Sequence, residues 1–325
     1  MNISMLSNQD VQEVLDLWNK ERDKNRFLHK KLDLETFNSK FIEVSDNIEK
    51  INCVCKEEEK VIGFGNACYK KGEEVGYITF ILVQEEYIRR GIGSEILKAL
   101  EEELKKNDKL KKLEIIFFNP INLEWIVPGT KGHDHPNAPG VDMSSPAYLF
   151  FKNTGFRDFA TQNSYYRLLE GFAYTEKIEK RAAELSDKEI TITYYDKEKH
   201  YDFEELFENL NTPLWTEAIM GNISKEDAGY PVLIVENKGK ICGFTGPLMV
   251  QDSKRGYFAG IGIHSEYRKH GAGKVLFSAL CRGLKDEGAH YMTLFTGETN
   301  PARNIYESAG FKIVRSWADM RKEIK

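Results

Sequence analysis

Tyr87-Ile88-Arg89-Arg90-Gly91-Ile92-Gly93-Ser94 and Tyr267-Arg268-Lys269-His270-Gly271-Ala272-Gly273-Lys274 are two similar stretches within one chain of 325 residues. Each stretch follows an apolar, strand-like run, residues 76–83 in one case and 256–263 in the other. Each also opens a helix whose apolar residues recur at helical spacing. A strand, a glycine-rich turn and a helix therefore occur twice, which predicts an internal duplication.

The similarity extends outward from the two turns. Each half begins with a short strand and then a helix with apolar residues at i, i+3, i+4 and i+7. These residues are Val11, Val14, Leu15 and Trp18 in one half, and Phe203, Leu206, Phe207 and Leu210 in the other. Two β-rich runs follow in each half, at 51–55 and 61–69, and at 232–236 and 241–250.

A Gly-Phe pair, Gly155-Phe156 or Gly310-Phe311, precedes the last strand-like segment of each half. We therefore expect an α/β protein of two tandem domains, each with a mixed β-sheet flanked by helices. The expected domains are residues 1–170 and 189–325. The charged segment 171–188 between them is poor in β-formers and predicts a helical linker.

The first half is longer by 25 residues between its glycine turn and its Gly-Phe pair, and the addition falls around 128–143. It contains His133-Asp134-His135 and the loop-forming residues Pro128, Gly129, Pro136, Pro139 and Gly140. A metal site would need further ligands that the sequence does not identify, so we expect an ordered loop pinned by its prolines. Neighbouring Trp125 belongs either to the core or to an acceptor site.

Composition excludes some classes of function. The 46 Lys and Arg against 51 Asp and Glu give a formal charge of −5, so the whole chain offers no electrostatic support for a nucleic-acid or membrane partner. Five cysteines form no second close pair for a zinc site, and Cys53 and Cys55 fit one face of a buried strand. With no leader or membrane-length apolar run in the sequence, we expect a cytoplasmic protein.

A glycine-rich turn between a strand and a helix points several backbone N–H groups at one place, and the helix N-terminus adds partial positive charge. A diphosphate suits such a turn. Gly271 and Gly273 let the backbone approach phosphate oxygens, while Arg268, Lys269 and Lys274 bring counter-charge. Glycine-rich turns also cap helices for structural reasons alone.

The combination with a second motif is more specific. Arg268-x-x-Gly271-x-Gly273 opens a helix, and a short helix after Asn300 carries Tyr306 and ends in Gly310-Phe311. This pair of motifs resembles the GNAT acetyltransferases. The duplicated plan covers nearly the whole chain and is similar to tandem-domain members such as mycothiol synthase in architecture.

The resemblance implies roles for residues of the second half. It makes Arg268, Lys269, His270, Gly271, Ala272, Gly273 and Lys274 the pyrophosphate loop of a CoA site. The backbone of Ile261 and Ile263 would pair with the pantetheine arm, and Tyr306 would protonate the departing CoA thiolate. Asn300 is a further candidate CoA ligand, although the family's asparagine stands where this chain has Thr299.

The general base is open. Glu236, His264 and Glu298 are candidates, and a water relay is equally compatible with the sequence. His264 comes directly after the strand, where a histidine is more often structural.

The first half departs from the family pattern at two positions. Ile88 stands in the place of Arg268, and Phe151 stands in the place of Tyr306. Phenylalanine has no proton to donate, so this copy is expected to be degenerate as a catalyst. A diphosphate can still be held there by Arg89, Arg90, Gly91, Gly93 and Ser94.

The resemblance implies an N-acetyltransferase that transfers the acetyl group of acetyl-CoA to a primary amine of a small molecule or peptide, with no metal. The alternative is a non-catalytic acyl-CoA-binding sensor or scaffold. A tRNA-dependent aminoacyl transferase, which also pairs two such folds, is disfavoured by the intact Gly271 and Gly273 and by the absence of a basic surplus.

Overall fold

The computed structural model describes residues 1–137, 140–225 and 229–324. It divides into two compact units. The first unit is Met1–Asn163 together with Arg315–Lys325, and the second is Ser164–Val314. Each unit combines β-strands with flanking helices, so the expected α/β architecture of two tandem domains is confirmed.

The first unit is built along the chain from these elements: β1 (Asn2–Met5), α1 (Val11–Asp23), α2 (Leu34–Phe37), β2 (Ile48–Glu57), β3 (Lys60–Lys70), β4 (Val75–Val83), α3 (Ile92–Lys105), β5 (Lys112–Ile115), β6 (Trp125–Ile126), β7 (Asp134–His135), β8 (Val141–Asp142), α4 (Pro146–Asn153) and the start of β9 (Arg157–Leu168). Strands β1 to β4 are antiparallel neighbours in sequence order, and β5 then runs parallel to β4.

Helices cover both faces of this sheet. Val14 and Trp18 of α1 are fully buried in one core cluster, and Ile96 and Leu100 of α3 are fully buried in another. Helix α3 lies so close to β3 that a Cβ atom on Gly65 would come within 2.4 Å of the Ile96 side chain. Glycine at this strand position therefore allows the helix to pack directly on the backbone.

The second unit continues from the end of β9 through these elements: α5 (Glu176–Ser186), β10 (Ile190–Tyr194), α6 (Phe203–Leu210), α7 (Pro213–Ile223), β11 (Leu233–Asn237), β12 (Lys240–Thr245), β13 (Arg255–Gly256), β14 (Ile261–Ile263), α8 (Ala272–Asp286), β15 (Tyr291–Gly297), α9 (Arg303–Ser308) and the start of β16 (Lys312–Glu323). Strands β10, β11, β12 and β14 form an antiparallel sheet in that order, and β13 pairs in parallel with β15.

The charged segment before β10 is helical, as expected, but it is an integral part of the second unit rather than a spacer. Ile178 and Leu185 of α5 are buried in the same core cluster as Leu276 and Leu280 of α8. Burial of these apolar side chains explains why a helix with an otherwise charged sequence packs here.

The end of the chain differs from the expected division at 170 and 189. Residues 315–325 belong to the first unit, where Met320–Glu323 of β16 pair antiparallel with Lys112–Ile115 of β5. Strand β9, conversely, begins in the first unit and ends in the second. A strand satisfies its hydrogen bonds and its apolar face in either sheet, so its sequence pattern alone does not assign it to a unit.

Two strand-like runs are shorter than expected. The run 256–263 forms two separate strands, β13 and β14, because residues 257–260 leave the sheet. The Thr245 hydroxyl donates a hydrogen bond of 2.9 Å to the carbonyl of Gly260 in this gap. The run 241–250 ends as a strand at Thr245, just before the cis peptide bond between Gly246 and Pro247.

The insertion of the first half lies in the described part of the chain except for residues 138–139, which include Pro139. It contributes β6 and β7, which pair with each other, and Asp134 accepts a salt bridge from Lys30 at 2.6 Å. Trp125 is fully buried and stacks on His135, which places it in the core. In the described ranges, no three His, Cys, Asp or Glu side chains are grouped as a metal site.

Cys53 and Cys55 lie in β2 and are both buried in the core cluster under α3, so the expectation of two thiols on one strand face is confirmed. Helices within the described ranges are all too short or too polar to cross a lipid bilayer.

Candidate active site

The loop that precedes α8 exposes a row of backbone donors. Lys269 has φ +71° and Gly271 has φ +85°, and this left-handed geometry turns the chain abruptly into the helix. The N–H groups of residues 269–273 donate to no acceptor among the residues that the structure describes. Consecutive free N–H groups at the N-terminus of a 15-residue helix form an anion site suited to a diphosphate.

Arg268 is tied to the strand that leads into this loop. Its Nε donates a hydrogen bond of 2.9 Å to the carbonyl of Ile263, the last residue of β14. This contact holds the guanidinium beside the loop, while Lys269 is exposed and Lys274 is half-buried at the start of α8. The site therefore combines positive side chains with free N–H groups.

A second arginine lies against the loop, and it comes from α5. The Cδ atom of Arg181 would be 2.8 Å from a Cβ atom placed on Gly271. The other end of this side chain forms a salt bridge with Glu184 at 2.6 Å. A guanidinium at this position can contribute charge to the anion site, and sequence analysis missed it because the segment was interpreted as a linker.

Strand β14 has one open edge in the second unit. Arg255 and Gly256 of β13 pair with β15, but Ile261 and Ile263 of β14 pair only with β12 among the described strands. Both isoleucines are half-buried. The side of β14 that faces away from β12 is thus an open strand edge that leads to the loop.

Tyr306 lies on α9 with its ring buried among aromatic side chains. The ring centroids of Phe277 and Phe258 are 5.0 and 5.9 Å from that of Tyr306, and that of Tyr165 is 6.0 Å away. Burial, with a smaller contribution from Tyr165, raises the pKa of Tyr306 to about 12. Its hydroxyl has no hydrogen-bond partner within the described chain, so the proton is held and remains available to a ligand.

Other candidate residues of the second half have local structural contacts. The side chain of Asn300 accepts a hydrogen bond of 2.9 Å from the N–H of Ala302, which fixes the turn before α9. Glu236 accepts a hydrogen bond from the N–H of Gly239 at 2.7 Å, and Glu298 is exposed. His264 is buried and its Nδ1 accepts from the N–H of Glu266 at 3.4 Å. None of these contacts singles out a general base.

The first copy repeats the geometry of the loop residue by residue. Arg89 has φ +65° and Gly91 has φ +82°, and the N–H groups of residues 89–93 also lack an acceptor in the described structure. Arg90 donates to the carbonyl of Glu86 at 3.0 Å, and Ser94 begins the helical hydrogen bonding of α3. The backbone donors of the loop are therefore retained although Ile88 stands where the second copy has Arg268.

In the first copy, Arg26 makes the contact with the strand end that Arg268 makes in the second copy. Arg26 follows α1, and its guanidinium donates to the carbonyl of Val83 at 3.2 Å, the last residue of β4. Ile263 receives its contact from Arg268 at the corresponding end of β14. Arg26 is also paired at 2.6 Å with Glu21, which is fully buried. No sequence motif marks Arg26, because its role depends on where the turn after α1 packs.

A cavity of 310 Å³ lies between the open end of β4 and the elements around it in the first unit. Its wall includes Ile78–Val83 of β4, the aromatic residues Phe27, Phe151 and Trp317, and His29. Phe151 occupies the place where Tyr306 stands in the second copy. No motif in the sequence marks this cavity.

Comparison with known proteins identifies the fold family. The family model for the acetyltransferase (GNAT) family matches residues 12–124 and 188–311. This match covers most of the chain in two separate regions, so the protein belongs to the GNAT family as a tandem-domain member. A search of curated proteins found no matching sequence.

Solved structures share the fold at low sequence identity. A tandem GNAT protein from the clavulanic acid biosynthesis pathway is 14% identical, with a TM-score of 0.57, and the match covers 99% of this chain and 98% of that one. A GCN5-related N-acetyltransferase from Sphaerobacter thermophilus is 12% identical, with a TM-score of 0.62, over 100% and 96% of the two chains.

A glucosamine N-acetyltransferase region in a fungal multi-domain β-N-acetylglucosaminidase is 16% identical with a TM-score of 0.65. That match covers 98% of this chain but only 38% of the fungal chain. At these identities the similarity concerns the fold, and the chemistry must be argued from the residues of this chain.

Proposed function

We propose that this protein is an N-acetyltransferase that transfers the acetyl group of acetyl-CoA to a primary amine of a small molecule or peptide, and that the second unit carries the reaction. Membership of the GNAT family supports acyl transfer in general. The observation that carries the finer assignment is the protonated phenol of Tyr306 in the unit whose loop has free N–H groups and Arg268.

The diphosphate of acetyl-CoA binds the N–H groups of residues 269–273, with Arg268 and Lys274 as counter-charges. The pantetheine arm lies along the open edge of β14. The nitrogen lone pair of the neutral amine attacks the thioester carbonyl carbon and forms a tetrahedral intermediate, whose oxyanion accepts hydrogen bonds from strand N–H groups. The carbon–sulfur bond then breaks, Tyr306 protonates the departing thiolate, and the attacking nitrogen releases its proton to water. The Tyr306 phenolate takes a proton back from water, which restores the acid.

The first copy binds CoA through the N–H groups of residues 89–93, with Arg89 and Arg90 nearby, but it does not transfer an acetyl group by this mechanism. Phe151 has no acidic proton at the position of Tyr306. The geometry of the first loop supports binding, because it repeats that of the second loop.

The test is an acetyl-transfer assay with the full chain, acetyl-CoA and a panel of amines that includes amino acids, polyamines, amino sugars and short peptides. Release of the CoA thiol is measured with a colorimetric thiol reagent, and the acetylated amine is identified by mass spectrometry. We expect thiol release that depends on at least one amine. Release that no amine increases would contradict acetyl transfer to amines.

Two matched loop variants assign the reaction to a unit. A glutamate at position 273 brings a carboxylate into the second anion site, and a Cβ there lies 3.2 Å from the flexible end of Ile305 and 3.8 Å from Ile263. A glutamate at position 93 does the same in the first site, where the Cβ has ordinary contacts at 3.5 Å or more. Gly273→Glu should abolish amine-dependent release, whereas Gly93→Glu should leave most of it. The opposite result would assign catalysis to the first unit.

A further inference from the structure

The cavity of the first unit continues from its anion loop. Val83 lines the cavity and also lies 3.9 Å from a Cβ atom placed on Gly93 in the loop. Phe150 lies against the same position at 3.5 Å, and the next residue, Phe151, lines the cavity. A ligand whose diphosphate sits on residues 89–93 therefore has its other end directed along β4 toward the cavity.

The open side of β4 gives such a ligand a backbone to follow. Val75, Gly76 and Tyr77 pair with β5, and the register then stops, so Ile78–Val83 are unpaired on that side among the described strands. This same segment, from 78 to 83, forms one wall of the cavity. The cavity thus begins where the two parallel strands separate.

The cavity wall is mainly apolar. It includes the apolar side chains of β4 and β5, a proline and an alanine of α4, and the rings of Phe27, Phe80, Phe151 and Trp317. Phe151 in particular makes the region apolar where the second copy has a phenol. Burial of hydrocarbon in such a site is favourable because the surface leaves water.

Most polar groups in the wall are already bonded to the protein. The guanidinium of Arg26 contacts Glu21 and the carbonyl of Val83, and the carboxylate of Asp142 accepts hydrogen bonds from Ser144 at 2.9 and 2.6 Å. The amide oxygen of Asn119 accepts from the N–H of Ile121 at 2.9 Å. The described part of the wall has no uncommitted carboxylate to pair with an ammonium group that has lost its water, so a cationic amine is a poor occupant.

One polar atom of the wall is different. Nδ1 of His29 is buried and has no hydrogen-bond partner, and burial together with Arg22 lowers the pKa of His29 to about 4. The ring is therefore neutral at pH 7 and packs against Phe27 and Phe80. The neutral ring brings no charge to the wall, so His29 belongs to the part of the cavity that suits a hydrocarbon group.

We propose that the first copy is a binding site for a longer acyl-CoA, whose acyl group of about four to eight carbons fills this cavity. The proposal rests on the proposed binding of CoA at residues 89–93. A volume of 310 Å³ is about ten times the share of one water molecule in the liquid, about 30 Å³. It holds a six-carbon acyl group together with the sulfur end of the pantetheine arm, whereas an acetyl group leaves much of it empty.

Phe151 decides the fate of this ligand. No phenol stands at the departing sulfur in the first copy, so the thioester is bound without being turned over. The protein would then combine an acetyl-transfer site with a sensor for longer acyl-CoA esters.

Calorimetric titration of CoA, acetyl-CoA, butanoyl-CoA and hexanoyl-CoA into the full-length Gly273→Glu variant tests this, because only the first loop is intact in that chain. Each methylene that enters the cavity should tighten binding roughly fourfold, so hexanoyl-CoA should bind on the order of 200-fold more tightly than acetyl-CoA. Equal or weaker binding of hexanoyl-CoA would overturn the proposal.

Ala147→Phe in the same background fills part of the cavity from its α4 wall and leaves the open edge of β4 and the loop 89–93 unchanged. We expect this change to remove most of the preference for hexanoyl-CoA and to leave the affinity for CoA itself unchanged, which also shows that the variant is folded. An unchanged preference would mean that the acyl chain lies elsewhere. Failure of the proposed acetyl transfer is detected independently, as the absence of amine-dependent thiol release from the wild-type chain.

Discussion

Replacement of Tyr306 by phenylalanine removes one oxygen atom from a buried aromatic cluster. The hydroxyl has no hydrogen-bond partner in the described protein, so no buried group is left unpaired by the change. The ring contacts with Phe277 and Tyr165 are retained. We therefore expect the free energy of unfolding to change by less than about 1 kcal/mol.

The effect on turnover follows from the proton balance. A phenol with a pKa of about 12 is a weaker acid than a CoA thiol in water, whose pKa is about 8.5 to 9. In the proposed mechanism, however, the thiolate departs beside Tyr306 among the same apolar side chains, where burial would raise its pKa as well. Proton donation is then less unfavourable than in water, and we expect the loss to be at the low end for general acids, about 100-fold in kcat.

The assay is amine-dependent thiol release at saturating acetyl-CoA, with Tyr165→Phe as the matched control. Tyr165 is a buried neighbour whose hydroxyl donates to Glu307 at 3.0 Å, so its loss perturbs the cluster without removing the proposed acid. Wild-type turnover should also show no decline up to about pH 10 from ionisation of Tyr306. A Tyr306→Phe enzyme with wild-type turnover would refute the assignment of the acid.

Three further predictions concern stability. Arg26→Met leaves the fully buried Glu21 without its closest partner, so it should lower the free energy of unfolding by about 3 kcal/mol in urea titrations. The additional change Glu21→Met should restore most of this loss, and a loss below about 1 kcal/mol in Arg26→Met would show that the pair is unimportant. Gly271→Ala introduces both a left-handed alanine and a close contact with Arg181, so it should destabilise the protein by more than the roughly 1 kcal/mol expected for Gly288→Ala, where φ is +91° and the space is open. Equal losses in the two variants would mean that the Arg181 side chain simply moves. His29 has a pKa of about 4 in the folded protein and near 6.5 in the unfolded chain, so its neutral form contributes stability above pH 6.5 that is lost as the pH falls toward 4. His29→Leu should remove about 2 to 3 kcal/mol of that acid-induced loss, and identical pH dependence of the two proteins would contradict the burial of this ring.

The sequence predicts the duplicated plan because its strongest signals are local. A strand, a glycine turn and a helix follow one another within about thirty residues at both Gly91 and Gly271, and the left-handed φ of these glycines is the reason that glycine is required. The position of Tyr306 relative to Gly310 is equally local. These features follow from residues that are neighbours in the chain.

The assignment of residues 315–325 to the first unit could not be predicted in this way. Strand β16 has the same alternating pattern whether it completes one sheet or the other, so periodicity does not reveal that Met320 pairs with Ile115. The cavity was missed for a related reason, since Phe27 and His29 contribute to it only through the packing of the turn after α1. Arg181 was missed because a charged helix was interpreted as a spacer.

Counting acetyl-CoA sites by calorimetry shows whether the two glycine loops bind CoA. We predict two sites in the wild-type chain, one in each of Gly93→Glu and Gly273→Glu, and none in the double variant, all four proteins having the same far-ultraviolet circular dichroism. Absence of binding to the wild-type chain, or a site that persists in the double variant, would contradict this account.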